Sequence, residues 1–286
     1  MTGKVWLITG ASRGLGNQWA IAALERGDSV AATARDTSAL ATLRDTYGDA
    51  VESIALDVTD RQGCFAAVEA AHDRFGRLDI VVNNAGYGQY GFIEELSESE
   101  ARTQIDTNFF GPLWITQAAL PYLRAQRSGH IIAVSSIGGV TAFANLGIYH
   151  ASKWALEGMS QSLAAEVAPF GVHVTIVEPG GYDTDWLAAA PYAEPMAAYA
   201  AQRTEFEAAR VKRRVDLGDP QAARSAILEI VNAADPPLRV FLGKYAFADV
   251  KADYEQRLAE WERWQPLAER AHSLKSAETR KLLSAL

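Results

Sequence analysis

The chain has 286 residues, 49% of them apolar, and a net charge of −8, enough apolar content to bury one sizeable core. Its longest basic run is Lys212-Arg213-Arg214, too little clustered positive charge for a polyanion, which argues against nucleic acid as a partner. A single cysteine, Cys64, excludes an intrachain disulfide and fits a reducing compartment, and no apolar run is long enough to span a membrane. The first strand is expected almost directly after Met1, which leaves no room for a signal sequence, so the expectation is a soluble, cytoplasmic protein. Short Val/Ile/Ala-rich runs then follow near residues 4–9, 29–34, 52–57, 78–83, 130–135, 172–177 and 238–242. Between them lie longer stretches of helical period near 15–26, 37–47, 60–75, 98–126, 149–168 and 219–233. That alternation predicts an α/β fold, a doubly wound, seven-stranded parallel sheet with helices on both faces, in one domain over residues 1–243. Right-handed crossovers bring the carboxyl ends of the strands, and the turns that follow them, to one edge of the sheet.

The first such turn is Gly10-Ala11-Ser12-Arg13-Gly14-Leu15-Gly16, between the first strand and the first helix. Glycines at 10, 14 and 16 allow a tight turn and let the backbone approach a pyrophosphate resting on the amides of the helix N-terminus. Further on, Tyr149 and Lys153 stand four residues apart on one helix face, with Ser136 at the end of an apolar strand. An ammonium beside a phenol favours the ionised phenol, which suits the phenol to proton transfer near neutral pH. Ser136 offers a hydroxyl to a substrate oxygen.

Taken together, these motifs resemble the short-chain dehydrogenase/reductase superfamily, in the branch with TGxxxGxG near the N-terminus and YxxxK later. The resemblance covers residues 4 to about 185. It implies that Thr9 to Gly16, including Ser12, Arg13 and Leu15, form the cofactor loop and that Asp57 and Val58 contact the adenine. It likens Asn83-Asn84-Ala85-Gly86 to the family's NNAG segment and Asn108 to its structural and proton-relay asparagine. Ser136 lies thirteen residues before Tyr149, the family's spacing, which selects it over Ser135. Pro179, Gly180 and Thr184 resemble the PGxxxT segment that holds the nicotinamide carboxamide. The implied division of labour makes Tyr149 the acid or base, and Lys153 the residue that lowers its pKa and holds the nicotinamide ribose. Ser136 would bind the reacting oxygen, and Asn108 would anchor an outgoing water. Relatives also pair through the long helices near 98–126 and 149–168, so a homodimer or homotetramer is expected.

At the end of the second strand, position 34 is Ala, followed by Arg35 and Asp36. A carboxylate at the strand's last position would repel a 2′-phosphate, whereas Arg35 and Arg13 together suit one, which favours NADP(H) over NAD(H). Asp36 is the competing reader. Near the expected cleft lie Tyr87, Tyr90, Phe143, Leu146, Trp186, Leu187, Tyr192, Met196 and Tyr199, with no paired arginines, so an apolar ketone, aldehyde or secondary alcohol is the expected substrate. Glu178 stands where many relatives carry Asn, a likeness to members acting on steroid or retinoid-type alcohols. The histidines at 72, 130, 150, 173 and 272 show no ligand spacing, so no metal is expected, and His150 is read as structural. Residues 183–215 are read as the substrate-loop region. Residues 244–286 form a charged helical extension with an apolar stripe at Val250, Tyr254, Leu258 and Trp261, expected on the parent domain, over the cleft or against a partner subunit. The expected activity is NADP(H)-dependent hydride transfer. Its rivals are a nucleotide-sensing protein without turnover and an epimerising or other non-redox enzyme that keeps its cofactor.

Overall fold

A computed structural model describes residues 3–184, 186, 190–213 and 216–272. The chain divides into two units, residues 1–246 and 247–286. The first is built on a parallel sheet of β1 (Val5–Ile8), β2 (Ser29–Ala34), β3 (Val51–Ala55), β4 (Ile80–Asn83), β5 (Gly129–Val134), β6 (Val172–Pro179) and β7 (Arg239–Leu242). Their order is β3-β2-β1-β4-β5-β6-β7. Central strands such as β1 and β2 are buried along their whole length, which is why they read as continuous apolar runs rather than alternating ones.

Around the sheet lie α1 (Gly14–Glu25), α2 (Ala41–Tyr47), α3 (Arg61–Phe75), α4 (Glu98–Ile105), α5 (Gly111–Gln126), α6 (Gly147–Val167), α7 (Ala200–Arg213) and α8 (Ala223–Asn232). On one face, Trp19 and Leu24 of α1 and Ile227 and Ile230 of α8 close a core over Trp6, Ile8 and Val30. On the other, Val68 of α3, Ile115 and Leu123 of α5 and Leu163 of α6 cover Leu7, Val81 and Ile131. The strand order reverses at β1, which pairs with both β2 and β4. A crevice outside the carboxyl ends of the strands is expected at such a reversal.

Two elements depart from the sequence reading. The single helix expected near 98–126 is split by a π turn over Asp106–Phe110, where the Gly111 amide donates to the Asp106 carbonyl five residues back. Pro112 supplies a cause: it has no amide hydrogen for the Asn108 carbonyl, so the α-helical ladder is interrupted there. Secondly, the region read as a substrate loop contains α7. Its apolar positions are mostly alanines, with Phe206 and Val211 the only large ones, so its helical period is carried by small residues and was passed over. The described part of the second unit belongs to one helix, α9 (Ala246–Ala271). Of its stripe, Val250 is buried and Tyr254, Leu258 and Trp261 are exposed, and ion pairs Asp253–Arg257 and Lys251–Glu255 brace its polar faces. No described helix is long and apolar enough to cross a membrane.

Candidate active site

The loops after β1 and β4 are tied into one wall. Thr9 Oγ1 accepts from the amides of Asn84 and Ala85, both at 3.0 Å, and donates to Val82 O. Asn84 Nδ2 donates to Thr9 O at 2.9 Å and Gly10 O at 3.0 Å. A side chain at Gly16 would collide with this amide, since its Cβ would stand 2.3 Å from Asn84 Nδ2. Gly10 and Gly14 have φ of +66° and +59°, conformations that glycine adopts without a steric penalty. Thr184, from the segment after β6, lies on the same loop, with Cγ2 3.6 Å from where a Gly14 Cβ would be. Ser12 and Leu15 are half-buried in this loop, Arg13 is exposed, and Gly180 is pinned by its amide to Leu242 O at 2.7 Å.

Arg35 is exposed at the end of β2, and Ala11 N donates to Thr33 O at 2.9 Å, which holds the glycine loop beside that strand end. Asp36 is otherwise occupied. Its carboxylate accepts from Ser38 N at 2.9 Å, capping a short 3-10 turn, and this bonding to Ser38 lowers its pKa. Asp57 is similarly held by Thr59, with bonds of 2.9 and 2.8 Å. Val58 is buried in the core against Gly111, where an added Cβ would come within 2.9 Å of it.

At the carboxyl ends of β5 and β6 the second group of residues meets. Asn108, fully buried in the π turn, donates to Tyr87 O at 2.9 Å and Ser152 Oγ at 3.1 Å and accepts from Tyr87 N. Lys153 Nζ donates to Val134 O at 2.8 Å and lies 6.0 Å from the centroid of the Tyr149 ring. Ser136 lies beside the Tyr149 phenol and has a lowering influence on its pKa, accepts from Gly138 N at 3.0 Å and donates to Pro179 O at 3.5 Å. Gly86 opens onto this group: a Cβ there would stand 3.1 Å from Asn108 Oδ1 and 3.5 Å from Lys153 Nζ. The four residues expected to do the chemistry are therefore assembled beside the glycine wall.

One expected effect is not produced by the chain's own residues. Burial pushes the Tyr149 phenol up to about 12, against the lowering influence of the neighbouring Ser136, and Lys153 does not bring it down. The ammonium is committed to Val134 O and is itself pulled down to about 8 by burial. At neutral pH the pair is thus a phenol beside an ammonium, the form that gives a proton to an oxygen.

An apolar chamber adjoins Tyr149. Tyr90, Leu146 and Ala190 pack with it, joined by Trp186 and Phe206, and the Trp186 ring meets Tyr149 edge-on at 5.3 Å. Tyr192 stacks on Tyr90 at 4.7 Å. Tyr87 is half-buried, and Phe143 and Met196 are partly exposed. Tyr199 lies apart from Tyr149's neighbours, stacked on Phe92 and donating to Glu94 at 2.6 Å. Leu187 lies outside the described residues.

A family model described as short chain dehydrogenase matches residues 4–195. The chain belongs to the short-chain dehydrogenase family. It is 38% identical to oxidoreductase BOA17 of Botryotinia fuckeliana over 93% of its own length and 98% of that protein's. It is 40% identical to a 3-ketodihydrosphingosine reductase of Bacteroides thetaiotaomicron, over 64% of this chain and 66% of the other. The crystal structure of a short-chain dehydrogenase from Streptomyces avermitilis is 40% identical, with a TM-score of 0.87 over 94% of this chain and 100% of that one. More distant solved relatives hold 5-hydroxy-NADP in one case, 26% identical with a TM-score of 0.71, and NAD in another, 25% identical with a TM-score of 0.79. The chain is accordingly an NAD(P)-dependent oxidoreductase acting on CH–OH or C=O groups.

This dehydrogenase also uses residues that the sequence reading passed over. Ser152 links Asn108 to the Tyr149 carbonyl, donating to the latter at 2.7 Å. Gln104 Nε2 donates to Tyr87 O at 3.0 Å and so shares Asn108's work. His150 Nε2 accepts from Phe143 N, so Nδ1 carries the hydrogen donated to Gly138 O at 2.9 Å. Burial keeps that ring neutral, and its role in bracing residues 138–143 is the structural one expected.

Proposed function

We propose that this protein is an NADP(H)-dependent reductase or dehydrogenase of an apolar ketone, aldehyde or secondary alcohol. The observation that carries the reading is the joining of Ser136, Tyr149, Lys153 and Asn108 at one strand edge, beside a glycine turn of the kind that lets a backbone approach a pyrophosphate. The residues fit such a cofactor: Gly10 and Gly14 adopt φ > 0, the N-terminus of α1 follows, and the exposed Gly86 has no side chain to crowd Asn108 and Lys153. When bound, the nicotinamide supplies or takes up the hydride. Tyr149 gives its phenolic proton to the substrate oxygen in reduction and takes it back in oxidation. Ser136 donates to that oxygen and positions it. Lys153 supplies positive charge beside Tyr149 and a donor for ribose hydroxyls, while Asn108 fixes the Tyr87 backbone and anchors the path along which the proton is replaced.

Arg35 and Arg13 favour the 2′-phosphate, and the engagement of Asp36 with Ser38 leaves its carboxylate less suited to a ribose. Tyr90, Leu146 and Trp186 around Tyr149 favour an apolar substrate, and one relative is, by its name, a reductase of 3-ketodihydrosphingosine. Self-association through α5 and α6 is part of the same reading. Trp154 is 38% exposed, and the space where a Gly158 side chain would project is open. The test is a panel of ketones, aldehydes and secondary alcohols followed by nicotinamide absorbance. The expected result is turnover of apolar carbonyls with NADPH and slower turnover with NADH. Turnover confined to charged substrates, or to NADH, contradicts the reading.

A further inference from the structure

Behind the site, three consecutive residues at the end of β5 each meet one turn of α6. Ser136 lies beside Tyr149, Val134 O accepts from Lys153, and Ser135 faces Glu157. Tyr149, Lys153 and Glu157 are spaced by four and share one helix face. Gly139 makes this possible, since a Cβ there would stand 2.4 Å from Ser135 Oγ and 3.2 Å from Glu157 Oε1. Opposite Glu157, from β6, comes Glu178. The two carboxyls are 5% and 1% exposed. Arg239 of β7 reaches both, with Nε 3.1 Å from Glu157 and 3.5 Å from Glu178, but its other arm is given to Gln161 at 2.8 Å.

Neither oxygen of Glu178 accepts a hydrogen bond from a described residue. Two facing carboxylates out of water, with one guanidinium between them, would set like charges against each other and leave an oxygen pair with no donor. A single proton held between the two removes both costs. We propose that Glu157 and Glu178 share one proton and that the one negative charge left on the pair holds Lys153 in its ammonium form. The proposal rests on Lys153 being the working lysine of the reading above, and the pair acts on the reaction only through it. Burial pushes both carboxyls up, Glu178 to about 8 with Glu157's charge as the second cause. Burial pulls Lys153 down, and Glu157 is the group that opposes this. Among the described residues, the charged and titratable groups facing the pair and Lys153 are Tyr149 on α6 and Arg239 on β7. Tyr90 acts on Tyr149 from the loop after β4, and the neighbouring Asn108, Ser135, Ser136 and Ser152 carry no charge.

The test is carbon NMR on the full-length protein labelled at Glu carboxyls and Lys ε-carbons. At pH 7 one glutamate carboxyl is expected in the neutral-acid position, and its signal should vanish in E178Q. The Lys153 ε-carbon, identified by its loss in K153R, should titrate about one pH unit lower in E157Q/E178Q than in wild type, because the negative charge beside it is gone. In E178Q the charge stays on Glu157, bonded by the new amide, so no downward shift is expected. If the double variant does not fold, E157Q replaces it: the charge moves to Glu178, farther from Lys153, and a smaller downward shift is expected. Absence of a neutral carboxyl in wild type overturns the shared proton. An unmoved Lys153 midpoint overturns the action on the lysine. Neither signal depends on turnover, so failure of the pair is distinguishable from failure of the oxidoreductase reading.

Discussion

Arg35 and Asp36 illustrate how adjacent residues in one turn separate into different duties. Both follow the buried Ala34, and residue type alone leaves either as the reader of the adenosine ribose. Local hydrogen bonding distinguishes them, because Asp36 caps the turn at Ser38 while Arg35 projects into solvent. That cap was itself legible: an aspartate two residues before a serine at a strand end is a common turn former. Arg35→Ala should therefore weaken NADPH on the order of tenfold or more, the loss of one charge-assisted contact, and leave NADH nearly unchanged. Calorimetric titration of both cofactors into both proteins measures it, and equal weakening of the two would contradict the role. The Tyr149/Lys153 face was readable because its spacing is local. The Glu157–Glu178–Arg239 cluster was not, because its members come from α6, β6 and β7 and meet only through the sheet order.

At the scale of elements, the strands were legible because burial on both faces leaves unbroken apolar runs. The π turn was not, although Gly111-Pro112 marks where the helix ladder must fail. β5 and β6 carry a consequence for stability. His130 on β5 is buried against Thr175 on β6, with Nε2 2.9 Å from its hydroxyl, and that hydroxyl donates to Pro237 O, so the ring must carry its hydrogen on Nε2. Burial pushes His130 down to about 3, whereas in the unfolded chain it protonates near 6.5. The unfolded state therefore binds the extra proton between these values. Stability from this residue is full above pH 6.5 and falls as the pH drops toward about 3, by about 1.4 kcal/mol per pH unit. Thermal unfolding from pH 7 to 4 should show a shallower decline in His130→Gln than in wild type. Equal slopes would contradict a neutral buried ring.

For the molecule as a whole, the alternation of strands and helices predicted the parallel sheet, and the ordered motifs predicted the family that residues 4–195 match. What sequence could not supply is the partner of an apolar face. Tyr90, Leu146 and Trp186 were placed near the cleft by sequence, but their packing on Tyr149 emerges only when the segments after β4, β5 and β6 meet, and the exposed Leu258 and Trp261 of α9 carry no such resolution in their spacing. The central claim, that Tyr149 moves the proton while neighbouring residues place substrate and cofactor, is tested most directly by Tyr149→Phe under single-turnover conditions, with cofactor affinity measured on the same sample. The ring stays and only the hydroxyl is lost. Hydride transfer should slow on the order of 10²–10⁴-fold while the dissociation constant for NADPH stays within about twofold of wild type. A variant that transfers hydride at a near-wild-type rate would contradict the account.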